Sequence, residues 1–369
     1  MAKDKTILDR LGWEVLDTIG ERGQAKIDLV RRKDQPDSPN YALKKVHTET
    51  GKQSYDRFHR EIEAIKKIDH PGVVKVVDHG CDEAEGLHFY VMEYIEGDRS
   101  LKKIVGTAEN PFIADPIKSM SIYLRILEAL QACEAAHVVH RDLSLGNVLV
   151  SADNQNVKLI DFGCCFIEDG NCITLTDEAV GTPDYRAPEC ENPASEPTIQ
   201  ADLYSAGKIL WSIITNKKAF SREKPVFNDK SMNREMPNDP MTWHLHHIFE
   251  RTIRHLPGNR YPNVAEALQH SHQILDCIRF GYPPLEKLDL YSRCPICGIG
   301  KLHDSRYLVQ NTLVTYLRDK MGVPDEDLQR QLVENGYLKD RAVCRYCGFF
   351  FDGSTLIRER NLNYRQTLE

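Results

Sequence analysis

"HRDLSLGNVLV", residues 140–150, is the stretch on which the reading of this chain turns. It places a carboxylate, Asp142, and a carboxamide, Asn147, five positions apart. A little further on, the apolar run "VKLI" at 157–160 leads directly into "DFG" and a second carboxylate, Asp161. Short motifs of this kind are weak evidence singly, so their weight depends on what surrounds them.

Around this stretch the spacing is helical. Ile122, Ile126, Leu127 and Leu130 recur at helix intervals before it, and "DLYSAGKILWSIIT" (202–215) and "HLHHIFERTIRHL" (244–256) do so after it. A mostly helical lobe is therefore expected over about 96–280. Toward the N-terminus, "KIDLVRRK" (26–33) and "NYALKKVHT" (40–48) alternate, and "GVVKVVDHG" (72–80) and "LHFYVMEYI" (87–95) are apolar. Phe58, Ile62, Ile65 and Ile68 put one helix among these strands, so a small sheet-rich lobe is expected over about 1–95. The paired prolines of "RFGYPPLEKLDLYSRC" (279–294) mark a boundary near 281 and a third unit over 281–369.

Composition excludes several classes. The 369 residues leave room for two or three domains, and 41% hydrophobic content suffices for packed cores. A net charge of −7 argues against a generic nucleic-acid binder. The opening "MAKDKTILDRLGWEVL" has charges throughout and no apolar signal core, and no 18 uncharged apolar residues run together, so a cytoplasmic protein without a membrane span is expected. Eleven cysteines, an odd count, with two CxxC pairs near the C-terminus, favour reduced thiols and a metal over disulfides.

With Lys44 in "YALKKV" (41–46) and "GTPDYRAPE" (181–189), the segments "HRDLSLGN" and "DFG" stand in the order of the Hanks-type, eukaryotic-like Ser/Thr protein kinases, which the chain resembles over about 12–280. The resemblance implies an α+β bilobal kinase fold, ATP as phosphoryl donor and Mg²⁺ or Mn²⁺ as cofactor. Moving a phosphoryl group demands positioning and charge neutralisation more than covalent chemistry. By resemblance, Asp142 accepts or orients the proton of the substrate hydroxyl, and Asn147 and Asp161 hold the metal. Lys44 holds the α/β-phosphates and pairs with Glu61 of "FHREIEAIKKI" (58–68). The nucleotide pocket implied by the resemblance comprises Gly20, Gly23, Ile27, Ala42, Lys44, Glu93, Ile95 and Leu149.

The chain departs from the family pattern in two places. "IGERGQAKI" (19–27) stands where G-x-G-x-x-G-x-V is expected; Gly20 matches, while Arg22 and Ala25 replace the other two glycines. Taken alone, Gly20 and Gly23 need mark no more than a hairpin. Since backbone N–H groups cradle phosphate, ATP binding under a stiffer lid is expected, with Arg22 facing solvent or else touching phosphate or substrate. In the catalytic loop Ser144 occupies the place of a lysine, which removes some electrostatic help. Gly146 and Thr182 nevertheless favour Ser/Thr over Tyr specificity. The resemblance also makes Asp202 an anchor for the catalytic-loop backbone and pairs Glu189 with Arg260.

Other side chains are read more plainly. His244 and His247 share a helix face with no acid or thiol to complete a metal set, so a wet face is expected there. Cys164 and Cys165 follow the DFG and are read as packing residues, or as oxidation-sensitive if exposed. By resemblance, Arg141 binds a phosphothreonine in the activation segment. Glu178 and Asp177 could imitate that phosphate, and Thr174 and Thr176 are candidate autophosphorylation sites.

The tail stands apart. "RCPICGIGKL" (293–302) and "VCRYCGFFFDG" (343–353) each carry CxxCG, a turn that aims two sulfurs at one point. Cys294, Cys297, Cys344 and Cys347 would complete a tetrahedral structural Zn²⁺ site resembling a zinc ribbon, with a helical insert in the 46 residues 298–343. Residues 281–369 hold 13 Lys or Arg and 12 Asp or Glu, a net of +1, so a protein partner is preferred to nucleic acid.

The whole is read as an ATP-dependent Ser/Thr protein kinase with a zinc-ribbon tail that recruits a substrate or regulator. Its partners would be protein substrates and a regulatory phosphatase or adaptor. The rivals are a pseudokinase scaffold, favoured by the depleted glycine loop, a small-molecule kinase, and a nucleic-acid-binding regulator.

Overall fold

The computed structural model describes residues 8, 11–22, 25–47, 52–82, 86–94, 97, 99–163, 165–167, 184–191, 197–220, 244–280, 302–304, 342–344 and 350–351. Five strands open the chain: β1 (Trp13–Arg22), β2 (Ala25–Arg32), β3 (Tyr41–His47), β4 (Val76–Asp82) and β5 (Leu87–Glu93), with helix α1 (Lys52–Lys67) between β3 and β4. They form one sheet of order β1-β2-β3-β5-β4 in which all neighbours are antiparallel.

Side-chain alternation decides which face each residue serves. Leu43, Phe89 and Val91 enter a small outer core with Trp13, Val30 and Leu8. Their neighbours Ala42, Tyr90 and Met92 turn the other way, into the main core. Lys44, two residues beyond Ala42, therefore lies on the inner face and directly opposite Tyr90 in the β3–β5 register. That face is covered by α1, whose buried stripe of Phe58, Ile62 and Ile65 follows the helical period, continues into Ile68 just beyond the helix and carries the charged residue Glu61.

The expected strand at 72–80 is shorter at its start. β4 begins at Val76, whereas Val73 forms an isolated parallel bridge to Leu159 and is buried with Val74. These valines are apolar because they pack between the lobes' elements, not because they belong to the sheet.

The following residues form short strands and long helices. In chain order they are β6 (Arg99–Ser100), α2 (Leu101–Ile104), α3 (Pro116–Ala135), β7 (Val138–Val139), β8 (Val148–Val150), β9 (Val157–Leu159), β10 (Phe166–Ile167), α4 (Ile199–Thr215), α5 (His246–Thr252) and α6 (Val264–Phe280). Helix α3 starts cleanly because the Asp115 side chain accepts the Lys118 N–H at 2.9 Å and Pro116 occupies the first turn. Helix α4 is buried along its length and packs against α3 and α5. At Gly207 an added Cβ would overlap Thr252 Oγ1 and lie 2.7 Å from Thr252 Cβ, so only glycine admits this α4–α5 approach. Asn216, with φ +58°, ends α4 in the left-handed conformation.

Further on, β11 (Leu302–Asp304), β12 (Ala342–Cys344) and β13 (Phe350–Phe351) form a three-stranded antiparallel sheet. The expected zinc ligands Cys294, Cys297 and Cys347 lie outside the described residues, and of Cys344 only the backbone is described. Of the expected helical insert at 298–343, residues 302–304 and 342–343 are strand, and the rest lies outside the described residues. Among the described residues no helix is long and apolar enough to cross a membrane.

Candidate active site

The two motif-bearing loops are brought together by β8 and β9. These strands pair with Val148 opposite Leu159, so the loop before β8 and the loop after β9 emerge side by side. Ile160 N–H donates to Asn147 O at 3.0 Å and locks them. Asn147 Nδ2 donates to the Asp142 carbonyl at 2.7 Å and to Asp142 Oδ2 at 3.1 Å, fixing that carboxylate against its own loop. The Ser144 carbonyl accepts Asn147 N–H at 3.0 Å; its side chain is buried rather than presented at the mouth of the site.

Beneath this loop lies buried Asp202 of α4. Its Oδ2 accepts the His140 N–H at 2.7 Å and its Oδ1 the Arg141 N–H at 2.9 Å. Arg141 has φ +66°, a conformation that a non-glycine residue keeps only when its surroundings hold it. The His140 ring packs on buried Phe162, centroids 4.5 Å apart, which ties the loop to the DFG segment. Asp161 itself has φ +67°, and this turn swings its carboxylate toward β3.

There it meets Lys44. The ammonium donates to Glu61 Oε1 at 2.8 Å, Glu61 Oε2 at 2.9 Å and Asp161 Oδ1 at 3.0 Å. Burial works against the charged Lys44, but Glu61, Tyr90 and Asp161 outweigh it and hold the pKa well above the ordinary lysine value. Burial pushes the Glu61 carboxyl up, and Lys44 pulls against that push. One row of the register thus crosses the sheet, with Gly20 opposite Ile27, Ile27 opposite Lys44 and Lys44 opposite Tyr90.

The remaining expected pocket residues are placed as follows. Ala42 is buried one step along the inner face from Lys44, and Leu149 is half-buried on β8. The Glu93 carboxylate is already engaged, accepting Lys158 Nζ at 2.7 Å and Lys75 N–H at 2.8 Å. Gly23 and Ile95 lie outside the described residues, as do the side chains of Arg22 and Ala25. The β1–β2 ladder runs to Arg22 opposite Ala25, leaving two residues between the strands.

Glu189 and Arg260 meet as a bidentate pair at 2.6 and 2.8 Å, and the guanidinium also donates to the carbonyls of Gln200, Arg254 and His255. The expectation of a wet histidine face fails, because His244 and His247 are buried. Helix α5 packs against α4 and α6, and its polar residues His247, Arg251 and Thr252 are enclosed. Cys165 is buried, which pushes its thiol up to about 12, the inert packing reading. Cys164, Thr174, Thr176, Asp177, Glu178 and Thr182 lie outside the described residues.

Sequence reading passed over Tyr90, whose hydroxyl donates to Glu61 Oε1 at 2.8 Å. Alternation in "LHFYVME" puts it on one face with His88 and Met92, but only the β3–β5 register sets it opposite Lys44.

The protein kinase domain model matches residues 13–272. A serine/threonine-protein kinase PksC of Streptomyces coelicolor is 30% identical over 280 residues, covering 72% of this chain and 48% of that protein. The serine/threonine-protein kinase PknB of Mycobacterium tuberculosis is 29% identical over 266 residues, 69% of this chain and 41% of that protein. The chain thus aligns with somewhat under half the length of these curated relatives. Among solved structures, the PknI kinase domain of M. tuberculosis superposes with a TM-score of 0.55 at 20% identity, covering 71% of this chain and 96% of that one, a likeness of fold. The strand-rich lobe, the helical lobe and the match over residues 13–272 agree, and the chain belongs to the protein kinase family.

Proposed function

We propose that this chain is an ATP- and Mg²⁺-dependent Ser/Thr protein kinase that transfers a phosphoryl group to protein hydroxyls. The observation that carries the proposal is Lys44 held jointly by Glu61 and Asp161 while Asn147 fixes Asp142 on the adjoining loop. The donor set fits the groups it would hold. Asp161 and Asn147 offer hard oxygen ligands for Mg²⁺, Lys44 offers a persistently charged ammonium for the phosphates, and the sheet edge at Gly20 and Ile27 offers a surface for the nucleotide. At Gly20 an added Cβ would only touch Ile27 at 3.9 Å, so packing does not call for glycine there, and the open space would admit a phosphate. When bound, the metal and nucleotide would supply charge neutralisation and the transferred group. Asp142 orients the incoming hydroxyl and takes its proton, while Asp202 and Asn147 hold Asp142 in place.

Ser/Thr specificity is supported by the named relatives, both Ser/Thr-protein kinases. The experiment is transfer of label from γ-labelled ATP to a generic basic protein by the full chain, with Asp142→Asn beside it. The variant is expected to lose on the order of 10²-fold or more in turnover. Nucleotide binding without transfer in either protein would instead favour a pseudokinase scaffold, the reading supported by a β1–β2 hairpin paired to its tip and short of glycine.

We further propose three units, 1–95, 96–280 and 281–369, the last a zinc ribbon recruiting a protein substrate, a regulatory phosphatase or an adaptor. Support comes from the backbone of β11 to β13: β12 ends at Cys344, and Cys347 falls between β12 and β13, where a ribbon carries a knuckle. Elemental analysis of the purified chain should find one zinc per molecule, and zinc-free folded protein would refute the site.

A further inference from the structure

We infer that Tyr90 is a positioning residue of the phosphoryl-transfer site, its hydroxyl fixing the Glu61 carboxylate and, through it, the Lys44 ammonium. The inference rests on the reading of Lys44 and Glu61 as the phosphate-holding pair. Glu61 Oε1 accepts from both Lys44 and Tyr90, each at 2.8 Å, whereas Oε2 accepts Lys44 at 2.9 Å. Lys44 cannot give all its donors to Glu61, because it already serves Asp161 and must also meet the nucleotide phosphates. A carboxylate buried as deeply as Glu61, 2% exposed, needs a donor that stays when the ammonium is shared. The Tyr90 hydroxyl is such a donor.

Its placement is rigid. Tyr90 stands opposite Lys44 in the β3–β5 ladder, so its backbone cannot move without breaking the sheet. Its ring is buried and packs on Phe58 of α1, centroids 5.5 Å apart. Phenylalanine would supply the same apolar contact, and only the hydroxyl reaches Glu61. Tyr90 thus joins the sheet to α1 through Glu61, the carboxylate that meets Lys44. Positioning at this level acts on rate through the geometry of the bound phosphates.

The test is a double-mutant cycle in the full chain with Tyr90→Phe and Glu61→Ala, which leaves no acceptor for the Tyr90 hydroxyl, measuring kcat and KM for ATP and KM for a generic protein substrate. Tyr90→Phe should lower kcat/KM for ATP by roughly tenfold. The protein-substrate KM should stay unchanged, and the same substitution should have no further effect in the Glu61→Ala background. Wild-type kcat/KM in Tyr90→Phe, or an equal loss in both backgrounds, would overturn the inference, the second outcome showing a role in packing alone. Glu61→Ala with unchanged kcat/KM would instead bring down the Lys44–Glu61 reading, and the inference with it.

Discussion

Asp202 holds Arg141 in the left-handed region: the buried carboxylate of α4 accepts the Arg141 N–H at 2.9 Å where φ is +66°, and the His140 N–H at 2.7 Å beside it. The catalytic loop is therefore shaped from below by a residue 60 positions later in the chain, counting from Asp142 to Asp202. Asp202→Ala should cost about 2–4 kcal/mol of stability, since two backbone donors lose a charged acceptor. It should also depress turnover more than nucleotide affinity, because Asp142 loses its support. Asp202→Asn, which keeps one acceptor, should fall between; chemical denaturation and steady-state assays read both effects.

Asp161 and Asp142 should separate by assay. Asp161→Ala removes a partner of Lys44 and the proposed metal ligand, so Mg²⁺-ATP affinity should fall together with rate. In Asp142→Asn the affinity should stay near normal. Calorimetric titration of both variants with Mg²⁺-ATP checks this; equal affinities would contradict the assignment of the metal to Asp161.

Gly207 should tolerate no side chain. Glycine within a helix is ordinarily improved by alanine, by about 1 kcal/mol. Here the added methyl would meet Thr252, so Gly207→Ala should destabilise by about 1–3 kcal/mol instead. Gly207→Ala combined with Thr252→Ser should recover little, because the Thr252 Cβ and hydroxyl that obstruct it remain in serine. Thermal melts of the two variants test the sign.

Cysteine reactivity should follow burial. The thiolate is the reactive species, and burial holds Cys165 at about 12, four units above pH 8. Very little Cys165 thiolate is then present at pH 8, and its reactivity should rise as the pH is raised. Cys81 is exposed. Alkylation of the native protein at pH 8, followed by peptide mass spectrometry, should therefore label Cys81 well before Cys165 or Cys133, whose thiol is also pushed up by burial. Labelling of Cys165 as fast as Cys81 would contradict its packing.

Much of the site was readable from the chain because its residues sit in short motifs whose order survives without knowledge of the fold. Asp142, Asn147 and Asp161 lie within single loops, and the helical stripe of Phe58, Ile62 and Ile65 carries Glu61 on its buried side. Readings that depended on what lies across a gap fared less well. His244 and His247 have the polar look of a surface face, yet neighbouring helices on both sides enclose them. Val73 and Val74 look like strand residues, yet their partner is Leu159, far along the chain.

By itself the sequence determined the succession of strands and helices, the loops bearing Asp142 and Asp161, and the side of α1 that carries Glu61, because periodicity and motif spacing are local properties of the chain. Only the tertiary structure decided that Tyr90 stands opposite Lys44, that Lys158 takes the Glu93 carboxylate, and that α4 is buried on every side. Strand register and helix packing arise from contacts between distant residues, and alternation names a face without naming the neighbour across from it.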